Sequence, residues 1–133
     1  MHDRTLAIAG TLAVVIHAVI AALHGAAHSD LGIQMSAAEN AFINIVIVAA
    51  PLGAGIALWT RFARWGAILL VISMSGSLLF GAYHHYVAIS PDHVAHLPAG
   101  KLQGLFRVTA ILLVASEAAA VVVGCWGAAG RRA

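Results

Sequence analysis

The chain has 133 residues, of which 62% are hydrophobic and only 9% are charged. A soluble domain usually carries about a quarter charged residues, so this composition excludes one. With seven Lys and Arg and five Asp and Glu, the chain has too few charged side chains to follow a nucleic-acid backbone or to keep an unfolded chain in solution. The composition therefore predicts an integral membrane protein, with no nucleic-acid partner.

The charged residues divide the chain into long apolar segments. We predict transmembrane helices near residues 5–28, 38–60, 63–89 and 102–126. Each segment exceeds the roughly 20 apolar residues that cross a bilayer and is much longer than a barrel strand. The expected fold is an all-α integral membrane protein with one four-helix domain over residues 1–133. Because the loops are short, neighbouring helices are expected to pack antiparallel, as a bundle of two helical hairpins.

The positive residues predict the orientation of these helices. Five of the seven lie at the termini or between the second and third spans: Arg4, Arg61, Arg64, Arg131 and Arg132. Cytoplasmic loops carry an excess of Lys and Arg. We therefore expect a multi-pass protein of the cytoplasmic (inner) membrane, with both termini inside the cell and the other two loops on the outer, periplasmic face.

Histidines are concentrated at that outer face. Six of the eight in the chain are expected there: His24, His28, His84, His85, His93 and His96. His24 and His28 are four residues apart, a spacing with which one helix face can present two imidazoles to one ion. Imidazole ligands suit copper, zinc, iron and nickel. The six histidines are therefore the predicted ligands of a transition metal, with copper favoured.

A haem is the alternative cofactor for the same region. On the third predicted helix, His84 continues an inward face formed by Ser73, Ser77 and Gly81, and His85 points about 100° away. His24 and His84 are expected at matching depth, about one turn below the outer surface. A single b-type haem would then be held by His24 and His84, with Arg107 near a propionate.

The acidic residues near this face have simpler explanations. Ser36 to Glu39 matches the capping-box pattern S-x-x-E at the start of the second span. Asp30 and Asp92 occupy positions where loops begin. Any of these three carboxylates could add an oxygen ligand to a metal, but we do not place them among the predicted ligands.

Three histidine pairs carry a resemblance to a known family. His24-x-x-x-His28, His84-His85 and His93-x-x-His96 resemble the histidine boxes of membrane fatty-acid desaturases and hydroxylases. That resemblance implies a di-iron centre. The family has a much longer chain, carries its boxes on the cytoplasmic face, and ends its later boxes in paired histidines. We interpret the match as similarity of ligand spacing, not as family membership.

Three polar residues are predicted inside the membrane: His17, Asn44 and Glu117. An ionisable group within a span is a functional hypothesis by default. One interpretation is a proton or cation path from the outer histidines through Asn44, His17 and Glu117. The other is that Glu117 hydrogen-bonds His17 or Ser73 and fixes helix packing. We favour the second interpretation, because a single acidic residue within the membrane is too few for a continuous path for protons or cations.

These observations leave three functions open. The first is metal binding at the outer face, in metal handling or as a subunit of a membrane oxidase or oxygenase. The second is quinol-linked electron transfer by a b-type haem, and the third is a structural subunit with no site of its own. A partner membrane protein or a second copy of the chain is expected. No nucleophile–base pair or phosphate-binding loop is visible, so an independent hydrolase or kinase is not expected, whereas a redox enzyme stays open.

Overall fold

A computed structural model of the chain describes residues 2–130, and over that range it contains helices and no strands. The helices are α1 (His2–Asp30), α2 (Ala37–Ala57), α3 (Ala63–Tyr86) and α4 (Gln103–Ala129). All four are long and apolar enough to cross a membrane, which indicates a multi-pass membrane protein. Arg131 and Arg132, which contributed to the predicted orientation, lie outside the described residues.

The four predicted spans are confirmed as helices, with ends that differ by a few residues. α1 continues to Asp30 and is ended by Gly32, whose φ of +63° lies in the left-handed region. The backbone N–H of Ile33 then donates to the carbonyl of His28 at 3.1 Å, as is common where a glycine ends a helix. α3 ends at Tyr86, three residues before the predicted boundary at 89.

α2 consists of three consecutive segments, of which the first, Ala37–Phe42, is α-helical. The predicted capping box is confirmed: Ser36 Oγ accepts from the Glu39 N–H at 3.2 Å, and the Glu39 carboxylate accepts from the Ser36 N–H at 2.7 Å. The next stretch, Ile43–Ala49, is a π-helix, and Ala50–Ala57 completes the span as an α-helix. Short π-helical segments inside α-helices are frequent near functional sites.

α3 and α4 form the most extensive helix–helix contact, α1 packs on α4, and α2 packs on α3. Close packing of α3 on α4 requires Gly124. A Cβ at that position would lie 2.7 Å from Val71 Cγ2 and 3.0 Å from the Ala67 carbonyl oxygen. Small residues at such contacts allow membrane helices to pack closely.

The interior is apolar in the half of the bundle that contains the N-terminus. A buried cluster there is formed by Val14, Ala54, Leu70, Met74 and Ala120. Large apolar side chains also cover the outside of the bundle; Ile56 and Leu79 are each 71% exposed. An apolar surface of this extent is typical of a protein that faces lipid.

Candidate metal centre

Four side chains that can bind a metal meet at the opposite end of the bundle. They are His24 and His28 from α1, His85 from the end of α3, and Asp92 from the α3–α4 loop. Each offers one ligand atom, and these atoms all lie within 4.8 Å of one another. Three imidazoles and a carboxylate form a ligand set typical of a transition metal.

Phe106 of α4 positions the two histidines of α1. Its ring is fully buried, and its centroid lies 4.5 Å from that of His24 and 5.1 Å from that of His28. The spacing of four residues places both imidazoles on the same face of α1, as predicted, with ring centroids 4.8 Å apart. Packing against Phe106 restricts the rotamers of both rings.

The hydrogen bonds around His24 determine which ring nitrogen carries the proton. Thr109 Oγ1 donates to the Leu105 carbonyl at 2.7 Å, as α-helical threonines often do. The same hydroxyl therefore accepts from His24 Nδ1, which lies 2.8 Å away. In the neutral ring, Nδ1 then carries the hydrogen and Nε2 presents a lone pair.

His85 is held in the same tautomer. Its Nδ1 donates to the backbone carbonyl of Asp92 at 3.2 Å, which leaves Nε2 without a hydrogen. The Nε2 atoms of His24 and His85 face each other at 3.1 Å. Two lone pairs cannot hydrogen-bond each other, but two nitrogens of a tetrahedral site with metal–nitrogen bonds of about 2.0 Å lie about 3.3 Å apart. The spacing therefore fits one ion held by both rings.

Asp92 supplies a buried negative charge beside these rings. Its Oδ1 lies 3.1 Å from His28 Nε2 and 3.2 Å from His85 Nδ1. Burial acts to raise the pKa of Asp92, but the two nearby imidazoles outweigh it and hold the pKa below its usual range. Apart from these two imidazole contacts, neither carboxylate oxygen has a hydrogen-bond partner among residues 2–130. A cation would satisfy both the charge and the unpartnered oxygens.

The structure places His84 away from this cluster. Its ring packs on Phe80 with centroids 4.3 Å apart, and its Nε2 lies 3.7 Å from Glu39 Oε1. The expectation that His84 faces inward and His85 points away is therefore wrong. The buried face of α3 advances in steps of four residues, through Ser73, Ser77, Gly81 and His85. That path follows the i±4 ridge along which helices commonly pack.

The remaining residues predicted for this face lie outside the cluster. His93 and His96 are together in the loop, with ring centroids 5.0 Å apart, and His93 Nδ1 accepts from the Ala95 N–H. Arg107 is exposed, and its Nε donates to the Val94 carbonyl at 3.1 Å. The structure does not bring His24, His84 and Arg107 together as a haem site.

Sequence reasoning did not place Asp92 among the ligands. The available signal was its position in the loop that follows the helix carrying His84 and His85. The structure gives the other two outer acids local roles, because Glu39 belongs to the capping box and Asp30 Oδ2 accepts from the Leu102 N–H at 2.9 Å. Of the three, Asp92 is the one that joins the histidines.

A second polar group lies deeper in the bundle. His17 is 1% exposed and Glu117 is 2% exposed, and His17 Nδ1 lies 3.7 Å from Glu117 Oε1. Ser77 donates a hydrogen bond to Glu117, whereas Ser73 donates to the Leu70 carbonyl. Asn44 is exposed and donates to the Asn40 carbonyl of its own helix at 2.9 Å. The structure therefore brings His17 and Glu117 together without Asn44.

Replacing Thr109 by valine is expected to weaken metal binding by about 10–100-fold, the usual effect of losing a hydrogen bond that orients a ligand. Valine keeps the shape of threonine but cannot accept from His24 Nδ1, so the tautomer that exposes Nε2 is no longer favoured. Competition titration with a chelator of known affinity measures the change. Thr109→Ser, which keeps the hydroxyl, is the control, and equal affinities for the two variants would contradict this role.

In comparisons with known proteins, no protein-family model, curated protein or solved structure matches the chain. The assignment of a candidate metal centre therefore rests on the positions of His24, His28, His85 and Asp92.

Proposed function

We propose that the protein binds one transition-metal ion through His24, His28, His85 and Asp92, and that copper is the preferred metal. One observation carries the proposal: the Nε2 atoms of His24 and His85 lie 3.1 Å apart, next to a buried carboxylate whose only close polar contacts are imidazole nitrogens. Nitrogen-rich sites bind Cu²⁺ more tightly than the other divalent ions of the first transition row, which favours copper.

The proposed orientation places this site at the periplasmic face of the cytoplasmic membrane, with the N- and C-termini in the cytoplasm and neighbouring helices antiparallel. Arg4 and Arg61 support it, because they line the same surface cleft, which also contains the turn between α2 and α3. The positive-inside rule assigns that end to the cytoplasm. The proposed metal ligands lie at the opposite ends of α1 and α3 and in the loop after α3. The same rule therefore assigns them to the periplasmic face.

The proposed role is metal handling, or service as a metal-bearing subunit of a membrane oxidase or oxygenase. Four protein ligands would complete a tetrahedral site, whereas a catalytic ion usually keeps an open position. That ligand count favours holding and transferring the ion over an independent reaction. Transfer requires another membrane protein or a second copy of the chain, and the apolar outer surface provides area for such contact.

Metal loading of the purified protein tests the proposal. The protein is stripped with a chelator, exposed to equal Cu²⁺ and Zn²⁺, desalted, and measured by elemental analysis. We expect one copper ion per chain and little zinc. The His93→Ala/His96→Ala double variant is the control and is expected to load equally. Zinc in place of copper would overturn the metal assignment, and no retained metal would overturn the site.

A further inference from the structure

A cavity of about 550 Å³ extends from the metal centre toward the middle of the bundle. His24, His28, His85 and Asp92 line one part of it, and His17 and Glu117 line another. Along α1, His17 and His24 are about 10 Å apart, at 1.5 Å per residue. Pockets of 300–1,000 Å³ commonly hold small organic molecules. This cavity is therefore large enough for a ligand that is separate from the metal.

The cavity exists because α1 and α2 separate on this side of the bundle. α1 packs on α2 mainly along Ala50–Ala57. Facing the earlier part of α2, α1 presents small residues to the cavity: Ala18, Ala21, Ala22 and Gly25. Ile43 and Ile47 form part of the opposite wall. Short side chains on one helix and apolar side chains on the other leave an open, mostly apolar space.

The apolar cluster defined above lies directly beyond the deep end of the cavity. Val14 is three residues before His17 on α1, and Ala120 is three residues after Glu117 on α4. The cluster members are at most 4% exposed. Their packing closes the space on that side, so the cavity is a pocket. This geometry favours binding of a molecule over conduction of protons or cations through the bundle.

Pro51 explains how His17 is oriented at the deep end. In a regular α-helix, the carbonyl of Ile47 would accept from the N–H of residue 51, but proline has none. His17 Nε2 lies 3.2 Å from that carbonyl and donates to it. The Nδ1 of the neutral ring is then a hydrogen-bond acceptor. Within the described part of the chain, neither His17 Nδ1 nor Glu117 Oε2 has a hydrogen-bond partner.

We propose that this pocket binds an apolar molecule with a hydroxyl head group, such as a hydroquinone or a long-chain alcohol, and that the head group lies between His17 and Glu117. A hydroxyl can donate its hydrogen to His17 Nδ1, and its oxygen can accept from Glu117 Oε2 when that carboxyl group is protonated, because a hydroxyl is both donor and acceptor. A carbonyl or an ether oxygen cannot donate to Nδ1. The site goes beyond the proposed metal function and does not depend on it.

Binding to metal-free protein in lipid nanodiscs tests this inference. The probes are a decyl-substituted hydroquinone, its quinone, its dimethyl ether, and 1-dodecanol. We expect saturable binding of the hydroquinone at one site per chain, with the quinone and the ether about tenfold weaker. Tenfold corresponds to about 1.4 kcal/mol, which lies within the usual cost of leaving a buried hydrogen-bonding group unpaired. Metal content is measured separately, so failure of either proposal is distinguishable from failure of the other.

Two variants of α1 separate specific binding from partition into lipid. Ala21 lines the pocket, so Ala21→Trp should fill it and reduce hydroquinone binding at least about tenfold. Ala26 is exposed, and Ala26→Trp should leave binding unchanged. His17→Phe removes the acceptor and should make hydroquinone and ether bind equally.

The probe series on the unaltered protein decides the outcome even if a variant fails to fold. Tight binding of hydroquinone and dodecanol alike supports a site for any hydroxyl head group, and tight binding of hydroquinone alone supports an aromatic one. Equal binding of the dimethyl ether would overturn the proposal. Binding that does not saturate, or that Ala21→Trp leaves intact, would also overturn it.

Discussion

Replacing His85 by alanine is expected to weaken copper binding by at least about 100-fold, whereas the same change at the neighbouring His84 should leave binding unchanged. His85 is 5% exposed, and its Nε2 faces that of His24 at 3.1 Å. Loss of a direct ligand should exceed the roughly 10–100-fold effect of removing a group that only orients one. Elemental analysis and chelator competition measure both variants.

The two variants form a matched pair, because they remove the same side chain one residue apart on the same helix. Circular dichroism first establishes that each remains helical. His84 pairs with Glu39 and Phe80, so its loss should affect only that local contact. Equal loss of copper in both variants, or loss in His84→Ala alone, would contradict the site described here.

Replacing Gly124 by leucine is expected to destabilise the protein by about 3 kcal/mol, at the upper end of the usual range for overpacking. A Cβ there would lie 3.0 Å from the Ala67 carbonyl and 3.1 Å from the Val71 backbone nitrogen. Backbone atoms cannot rotate away as a side chain can, so α3 and α4 must separate. The midpoint of denaturant unfolding in detergent, followed by circular dichroism, reports the change.

Gly104 is the control on the same helix. It is exposed, and a Cβ at Gly104 would have no described residue within 4 Å beyond its own neighbourhood in α4. Leucine is a better helix former than glycine, so Gly104→Leu should be neutral or slightly stabilising. If Gly124→Leu unfolds at the same denaturant concentration as Gly104→Leu, the close packing of α3 on α4 is not as described.

The sequence was sufficient to predict the four helices and the two ligands of the candidate site that lie on α1. Long apolar runs determine spans of about 20 residues because the bilayer thickness is fixed. The pair His24 and His28 was predictable because residues four apart on a helix always share a face. The capping box at Ser36 and Glu39 was predictable for a similar reason, since all its contacts lie within four residues.

The partners from other elements could not be predicted from spacing alone. Neighbouring residues on a helix point about 100° apart, so a small rotation of α3 decides whether His84 or His85 faces the interior. That rotation depends on how α3 packs on α4, which the sequence of α3 does not state. The position along the helix axis is also hard to predict: Glu117 lies beside His17, one of its two expected partners, but accepts from Ser77, one turn along α3 from Ser73, the other expected partner.

Asp92 was named only as one of three possible oxygen donors, and the reason that it could not be singled out is different. Its position depends on the path of the α3–α4 loop, which the backbone fixes through the Val94 N–H donating to the His85 carbonyl at 3.0 Å. A contact of this kind joins residues through tertiary structure and leaves no periodic pattern in the sequence. Functional residues often lie in loops that a rigid scaffold positions. This general rule does not identify which residue of a loop is a ligand.

X-ray absorption spectroscopy of the copper-loaded protein tests the metal centre most directly, because it counts the imidazole ligands of the bound ion. The four-residue cluster predicts three imidazole nitrogens and one oxygen around a single copper ion, with one imidazole fewer in His85→Ala and no change in His84→Ala. A spectrum with a different number of imidazoles, or one that His85→Ala does not alter, would contradict the site.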